Sequence, residues 1–198
     1  MSAVPGSEER FKESLELAVK YAKELSCSKI HILAGLKPTS SPKGNVRCFN
    51  KMEQTYISNL KYACSRLKKD NILGVIEPIC PQAVPNYFLD SFYQAMKYIK
   101  LINEPNLKLQ LDFYHLQRLH GNITENLNMF FPYVGHIQIS QVPDRHEPDS
   151  DGELDYHYIF NLLQSLEYSG FIGLEYKPKG DTIDGLKWLK TFPNCSIG

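Results

Sequence analysis

The chain has 198 residues, with Lys+Arg and Asp+Glu both totalling 22, so its formal charge is zero. That length suffices for one domain with a substantial core, and the neutral balance argues against a nucleic-acid binder, whose footprint is strongly basic. Its apolar runs fall far short of the ~20 residues that span a bilayer, and residues 1–10 lack the apolar stretch of a secretory signal, so no membrane partner is expected and a cytoplasmic location is.

The five cysteines (Cys27, Cys48, Cys64, Cys80, Cys195) are scattered and form no CxxC pair. That disfavours a disulfide framework or a thiolate zinc site and fits a reducing compartment. The sequons at Asn122 and Asn194 read as chance matches in such a chain.

From Ser7 the pattern turns helical. Phe11, Leu15, Val19, Ala22 and Leu25 recur at three- and four-residue spacing, and Ser7 is placed to cap that helix. Residues 29–35 read as a buried strand closing on Gly35. Residues 36–50 hold Pro38, Pro42 and Gly44 and read as a loop. A second helix carries Met52, Tyr56, Leu60, Ala63 and Leu67 on one face. A strand over 72–79 and a proline-rich loop through Pro85 follow. Phe92, Met96 and Ile99 mark a third helix.

The strand over 107–113 leads into a short helical or irregular segment through Phe131. Residues 136–139 form the next strand core, with a long polar exit loop over 141–153. Ile159, Leu162, Leu163 and Leu166 make a fourth helix, and 171–176 is the last strand. A final helix over 183–189 is capped by Asp181 or Thr182.

Strands alternating with helices argue for a parallel α/β fold in a single domain over residues 1–198. An open doubly wound sheet and a (β/α)8 TIM barrel compete. The GxGxxG fingerprint and the P-loop are both absent, so no nucleotide cofactor is expected. A barrel needs eight strands and about 250 residues; five strands are readable here, so the barrel would be incomplete.

The residues at the strand ends favour barrel logic. Glu77, Asp112, Gln138 and Glu175 each close a strand-like run, about one strand plus one helix apart. Parallel strands place such ends on one rim, and three acids with an amide suit a divalent cation and a small polar substrate. Each residue also has a plainer reading. Glu77 and Glu175 could sit in structural ion pairs, and Asp112 could cap the next helix. Gln138, on the same strand face as His136, could be a satisfied core amide. Arg145 could be a loop arginine paired with Glu147 or Asp149. Lys177 and Lys179 read as exposed loop charges.

Several segments together resemble hydroxypyruvate isomerase, in the xylose-isomerase-like TIM-barrel superfamily. They are Val-Ile-Glu77-Pro-Ile, Leu-Asp112-Phe-Tyr-His115, Gly-His136-Ile-Gln138-Ile, Pro143-Asp-Arg145-His146-Glu147-Pro148 and Gly-Leu-Glu175-Tyr-Lys-Pro-Lys-Gly180-Asp-Thr. The resemblance runs from about residue 5 to Trp188 and covers the last five βα units of that fold, without the first three.

It implies that Glu77 and Glu175 are the catalytic acid/base pair. It also implies that Glu77, Asp112, Gln138 and Glu175 hold Mg²⁺ or Mn²⁺, and that His115, Arg145 and His146 line the substrate pocket. The implied partner is a small hydroxy or keto acid, and a homo-oligomer is compatible with it. The implied reaction interconverts hydroxypyruvate and 2-hydroxy-3-oxopropanoate through an enediolate. Three other readings are a ketose-sugar epimerase, a phosphodiesterase of the apurinic-endonuclease type and an inactive truncated isoform. Gln138, where the epimerases usually have His, argues against the first, and the neutral charge with six histidines argues against the second.

Overall fold

Apolar residues at helical spacing give each long helix one buried face, and short apolar runs between them pair as parallel strands. A computed structural model describes residues 1–38 and 46–192. Residues 39–45 of the expected loop, Cys195 and the sequon at Asn194 lie outside the described residues. The chain forms two compact units, Met1–Gln110 and Leu111–Gly198.

The first unit holds α1 (Glu8–Glu24), β1 (Lys29–His31), α2 (Val46–Lys68), β2 (Leu73–Ile76), α3 (Phe92–Ile102) and most of β3 (Leu107–Asp112). β1 pairs with β2 in parallel, Lys29 opposite Leu73, and β2 pairs with β3 in parallel, Gly74 opposite Leu107. α1 buries Phe11, Leu15, Val19 and Ala22, and α2 buries Met52, Tyr56, Leu60, Ala63 and Leu67. Tyr56 packs edge-on against Phe88 and Tyr98, with ring centroids 5.5 and 5.1 Å away.

Local details depart from expectation. Ser7 stands at the N-cap of α1, but its side chain makes no capping bond; Glu8 and Glu9 supply negative charge to the first turn instead. Leu25 falls just past the helix and is exposed. Ladder pairing stops at His31 and Ile76, short of the expected strand ends. Beyond them the backbone turns to loop partners: Ala34 N–H donates to the Tyr87 hydroxyl, and Ile79 N–H to the Leu89 carbonyl.

The second unit holds the end of β3, α4 (Phe113–Leu119), α5 (Ile123–Phe130), β4 (Val134–Ile139), α6 (Tyr156–Ser165), β5 (Ile172–Leu174) and α7 (Thr182–Gly185). β4 and β5 are parallel, with Gln138 opposite Gly173. The segment through Phe131 resolves into α4, α5 and a 3-10 turn over Phe131–Tyr133. Asp181 is the cap at the last helix, accepting from Ile183 N–H and Asp184 N–H. That helix is a single turn continued by a 3-10 segment over Leu186–Thr191, which buries Trp188 near Phe160 and Phe192.

Five strands in parallel ladders alternate with helices among the described residues, where a closed barrel of this type has eight. None of the described helices is long and apolar enough to cross a membrane.

Candidate active site

In the first unit Glu77 directly follows β2, and its side chain is only 5 % exposed. His31, at the end of β1, places Nε2 3.6 Å from Glu77 Oε2. Tyr87 is close enough for the Glu77 charge to act on it; burial is the main cause that pushes its hydroxyl up to about 12, with the Ala34 N–H opposing. Sequence reasoning missed His31. It stood inside the run read as a strand over 29–35, so the strand-end criterion that singled out Glu77 did not reach it.

In the second unit Asp112 ends β3 and is fully buried. Its two oxygens do different work. Oδ1 accepts the Tyr114 N–H at 2.8 Å and caps α4. Oδ2 accepts from Arg145 Nη2 at 3.0 Å and lies 3.7 Å from His115 Nε2. Capping, one of the two readings the sequence offered, is what Oδ1 does, while Oδ2 turns to Arg145. Burial pushes Asp112 up to about 7, the Arg145 charge and the Tyr114 N–H pull it down, and Glu175 adds to the rise.

Arg145 is the hub of this unit. The same Nη2 that meets Asp112 lies 3.0 Å from Glu175 Oε2. The expected alternative, a surface pairing with Glu147 or Asp149, is corrected: the Arg145 side chain is 20 % exposed and turns inward to Asp112 and Glu175. Its guanidinium carbon sits 4.9 Å from the centre of the Tyr114 ring, and that of Arg118 sits 5.0 Å from the same ring. Arg118 in turn donates to the Pro143 carbonyl at 2.8 Å. Tyr114 was not singled out in the sequence, since nothing in the pattern marks which aromatic a distant arginine will stack on.

The loop after β4 holds Arg145 in place. Arg145 has φ +60°, in the left-handed region that few non-glycine residues occupy. Gln141 organises the turn around it. Its side-chain oxygen accepts from Val142 N–H and Leu154 N–H, and its Nε2 donates towards the carbonyls of Pro148, Ser150 and Leu154. Gly152 lies so near that an added Cβ would stand 2.3 Å from the Val142 carbonyl oxygen.

The loop after β4 is then zipped to the segment after β5. Lys177 N–H donates to the Arg145 carbonyl at 2.7 Å. His146 Nδ1 lies 2.7 Å from the Lys177 carbonyl oxygen. The buried Glu147 carboxylate accepts the Lys179 N–H at 3.1 and 3.2 Å. These contacts fix Glu175 beside Arg145. Lys177 and Lys179 are exposed, as expected, and serve here through their backbones.

Glu175 and Glu77 are not alike. The Glu175 side chain is 49 % exposed, whereas Glu77 is buried. Gln138 sits opposite Gly173, where a Cβ would come within 3.1 Å of both Gln138 Cγ and His136 Nε2. His136 and Gln138 therefore share a strand face, as alternation predicts. The second unit thus brings Asp112, His115, Arg145 and Glu175 together and ties His146 to the same loop.

The donors fit a divalent cation by their chemistry. Asp112 and Glu175 offer carboxylate oxygens and Gln138 an amide, a set that suits hard ions such as Mg²⁺ or Mn²⁺. Arg145 already supplies the counter-charge that the fully buried Asp112 requires, and a divalent ion would supply the same compensation.

A family model described as the xylose isomerase-like TIM barrel matches residues 2–192. The chain belongs to this family. It is 48 % identical over 193 residues to a putative hydroxypyruvate isomerase of Danio rerio, covering 97 % of this chain and 69 % of that one. It is 37 % identical over 194 residues to a 2-oxo-tetronate isomerase of Haemophilus influenzae, covering 96 % of this chain and 71 % of the relative. Among solved structures it is similar to one described as an AP endonuclease, family 2, from Brucella melitensis, at 35 % identity and a TM-score of 0.89, covering 97 % of this chain and 71 % of that chain. By these relatives the xylose isomerase-like chain is an isomerase of its superfamily, with five of the eight strands of a closed barrel among its described residues.

Proposed function

We propose that this chain is a hydroxypyruvate isomerase, interconverting hydroxypyruvate and 2-hydroxy-3-oxopropanoate. The reaction moves a carbonyl by one carbon. A base takes a proton from C3 to give an enediolate, the C2 oxygen gains a proton as the C3 hydroxyl loses one to become the aldehyde oxygen, and a proton is delivered to C2, so that no proton is gained or lost overall. Glu77 and Glu175 divide this work, one ionised and one protonated. Glu77 is buried and Glu175 is half-exposed, and these unlike settings support giving the two carboxyls unlike parts.

Arg145 takes the substrate carboxylate with its planar fork, and His115 and His146 line the same pocket. Mg²⁺ or Mn²⁺, which Asp112, Gln138 and Glu175 of the second unit would hold, would supply Lewis-acid stabilisation of the enediolate. The substrate is a small keto acid in the cytoplasm, and neither nucleic acid nor membrane is a partner.

The observation that carries this reading is Arg145 set between Asp112 and Glu175, an anion-binding fork beside a carboxylate that follows a β-strand. A four-carbon 2-oxo acid is the second substrate to test, favoured by the likeness to the 2-oxo-tetronate isomerase.

The test is an isomerase assay of the purified chain on hydroxypyruvate and on 2-oxo-tetronate, with and without EDTA. Glu175→Gln and Glu77→Gln are expected to abolish turnover while leaving the circular dichroism unchanged. Wild-type levels of turnover in a well-folded Glu175→Gln variant would refute the assignment.

A further inference from the structure

We propose that Arg145 is an internal competitor for the divalent cation: its guanidinium holds the carboxylate oxygens of Asp112 and Glu175 that the ion requires, so the ion must displace it. This rests on the cation site proposed above, and on none of the steps of the reaction.

Two observations and a rule of ion coordination support it. A single nitrogen, Nη2, lies 3.0 Å from both Asp112 Oδ2 and Glu175 Oε2. The remaining Asp112 oxygen is committed to the Tyr114 N–H that opens α4, so Oδ2 is the oxygen left for a ligand. Hard divalent ions bind carboxylate oxygens directly at 2.0–2.6 Å, and an oxygen already accepting a charged N–H at hydrogen-bond distance must exchange that partner for the ion.

Arg145 is also built to let go. Its Nε is buried with no hydrogen-bond partner among the described residues, so the fork is only partly used against the carboxylates. The Tyr114 ring at 4.9 Å gives the cation a second resting contact. The loop carrying Arg145 is held by the Gln141 amide and by Lys177 N–H, independently of the guanidinium. Once displaced, the fork has both Nε and Nη2 to offer a carboxylate ligand side-on.

The experiment titrates wild type, Arg145→Gln and Arg145→Lys with Mn²⁺ at pH 8, reading bound ion by electron paramagnetic resonance and fold by circular dichroism. Arg145→Gln is expected to bind Mn²⁺ about tenfold more tightly than wild type, the factor for losing one charge-assisted hydrogen bond. Arg145→Lys keeps a competing cation and stays within a few-fold of wild type. Equal or weaker binding by a folded Arg145→Gln, or no Mn²⁺ binding by either protein, overturns the proposal.

A second readout needs no loss of the side chain. In ¹⁵N-edited spectra of wild type, Mg²⁺ is expected to move the Arg145 Nε–H resonance, identified by its absence from Arg145→Lys. A resonance unmoved at saturating Mg²⁺ overturns displacement. Both readouts are of binding: a chain without turnover that still shows tighter Mn²⁺ binding in Arg145→Gln sinks the reaction and leaves this inference standing.

Discussion

Gln141 shows how much one amide governs at this site. Its oxygen accepts two backbone N–H groups, from Val142 and Leu154, and its nitrogen faces three carbonyls. The residue is 3 % exposed, so water cannot replace those partners without opening the loop. Gln141→Leu keeps the approximate size and strands buried polar groups, each worth about 1–3 kcal/mol. We expect a loss of more than about 2 kcal/mol in urea unfolding, together with weaker carboxylate binding as Arg145 loses its support. A fully stable variant would show that the loop is held by its zipper to the segment after β5 instead. Residue-level contacts were the least legible part of the sequence. Arg145 has Glu147 and Asp149 close by in the chain, which made them natural partners, yet Glu147 is taken by Lys179 N–H and Arg145 reaches back to Asp112. Nearness along a loop says little about pairing once the loop folds back on its neighbour.

At the scale of elements, helical faces were read well and strand lengths poorly. Periodicity placed all five expected residues of α2 on its buried face, because apolar side chains at three- and four-residue spacing have one geometric solution, and it left out only Asn59 and Cys64 among the described residues. β1, β2 and β5 ended early because an apolar run does not distinguish ladder pairing from the loop that follows it, whereas β3 and β4 end within a residue of expectation. Caps divide the same way. Asp181 was legible as a helix start, whereas Ser7 holds the position without making the bond. Asp155 caps α6 through Tyr158 N–H, although no apolar pattern announced it. Asp155→Ala is expected to cost about 1 kcal/mol, the usual worth of an N-cap. Chemical denaturation reads that change directly, and a shift below about 0.3 kcal/mol would mean that the packing of Tyr156 and Ile159 holds the helix start without help from the cap.

For the molecule as a whole, the alternation of strands and helices was legible because each βα step repeats one hydrophobic pattern, and the family followed from motifs at the strand ends. What the pattern could not give was the division into two compact units, which leaves no mark of composition at Gln110. Thiol chemistry tests the core of the first unit. Cys64 lies inside α2 at 1 % exposure, and burial pushes its thiol up to about 11, with the Glu104 charge adding to the rise. Cys27, in the turn after α1, is exposed. At pH 8 only about one Cys64 in a thousand is thiolate, the reactive form, and its sulfur is covered besides. Iodoacetamide at pH 8, followed by peptide mass spectrometry, should therefore modify Cys27 at least a hundredfold faster. Across a urea series the Cys64 rate should rise with the loss of helical circular dichroism, because the thiol becomes reactive only when α2 leaves the core and its pKa returns towards about 8.5. Rapid labelling of Cys64 in the absence of urea would show that α2 opens without global unfolding, and the packing assigned to Tyr56, Leu60 and Leu67 on the same helix face would have to be abandoned.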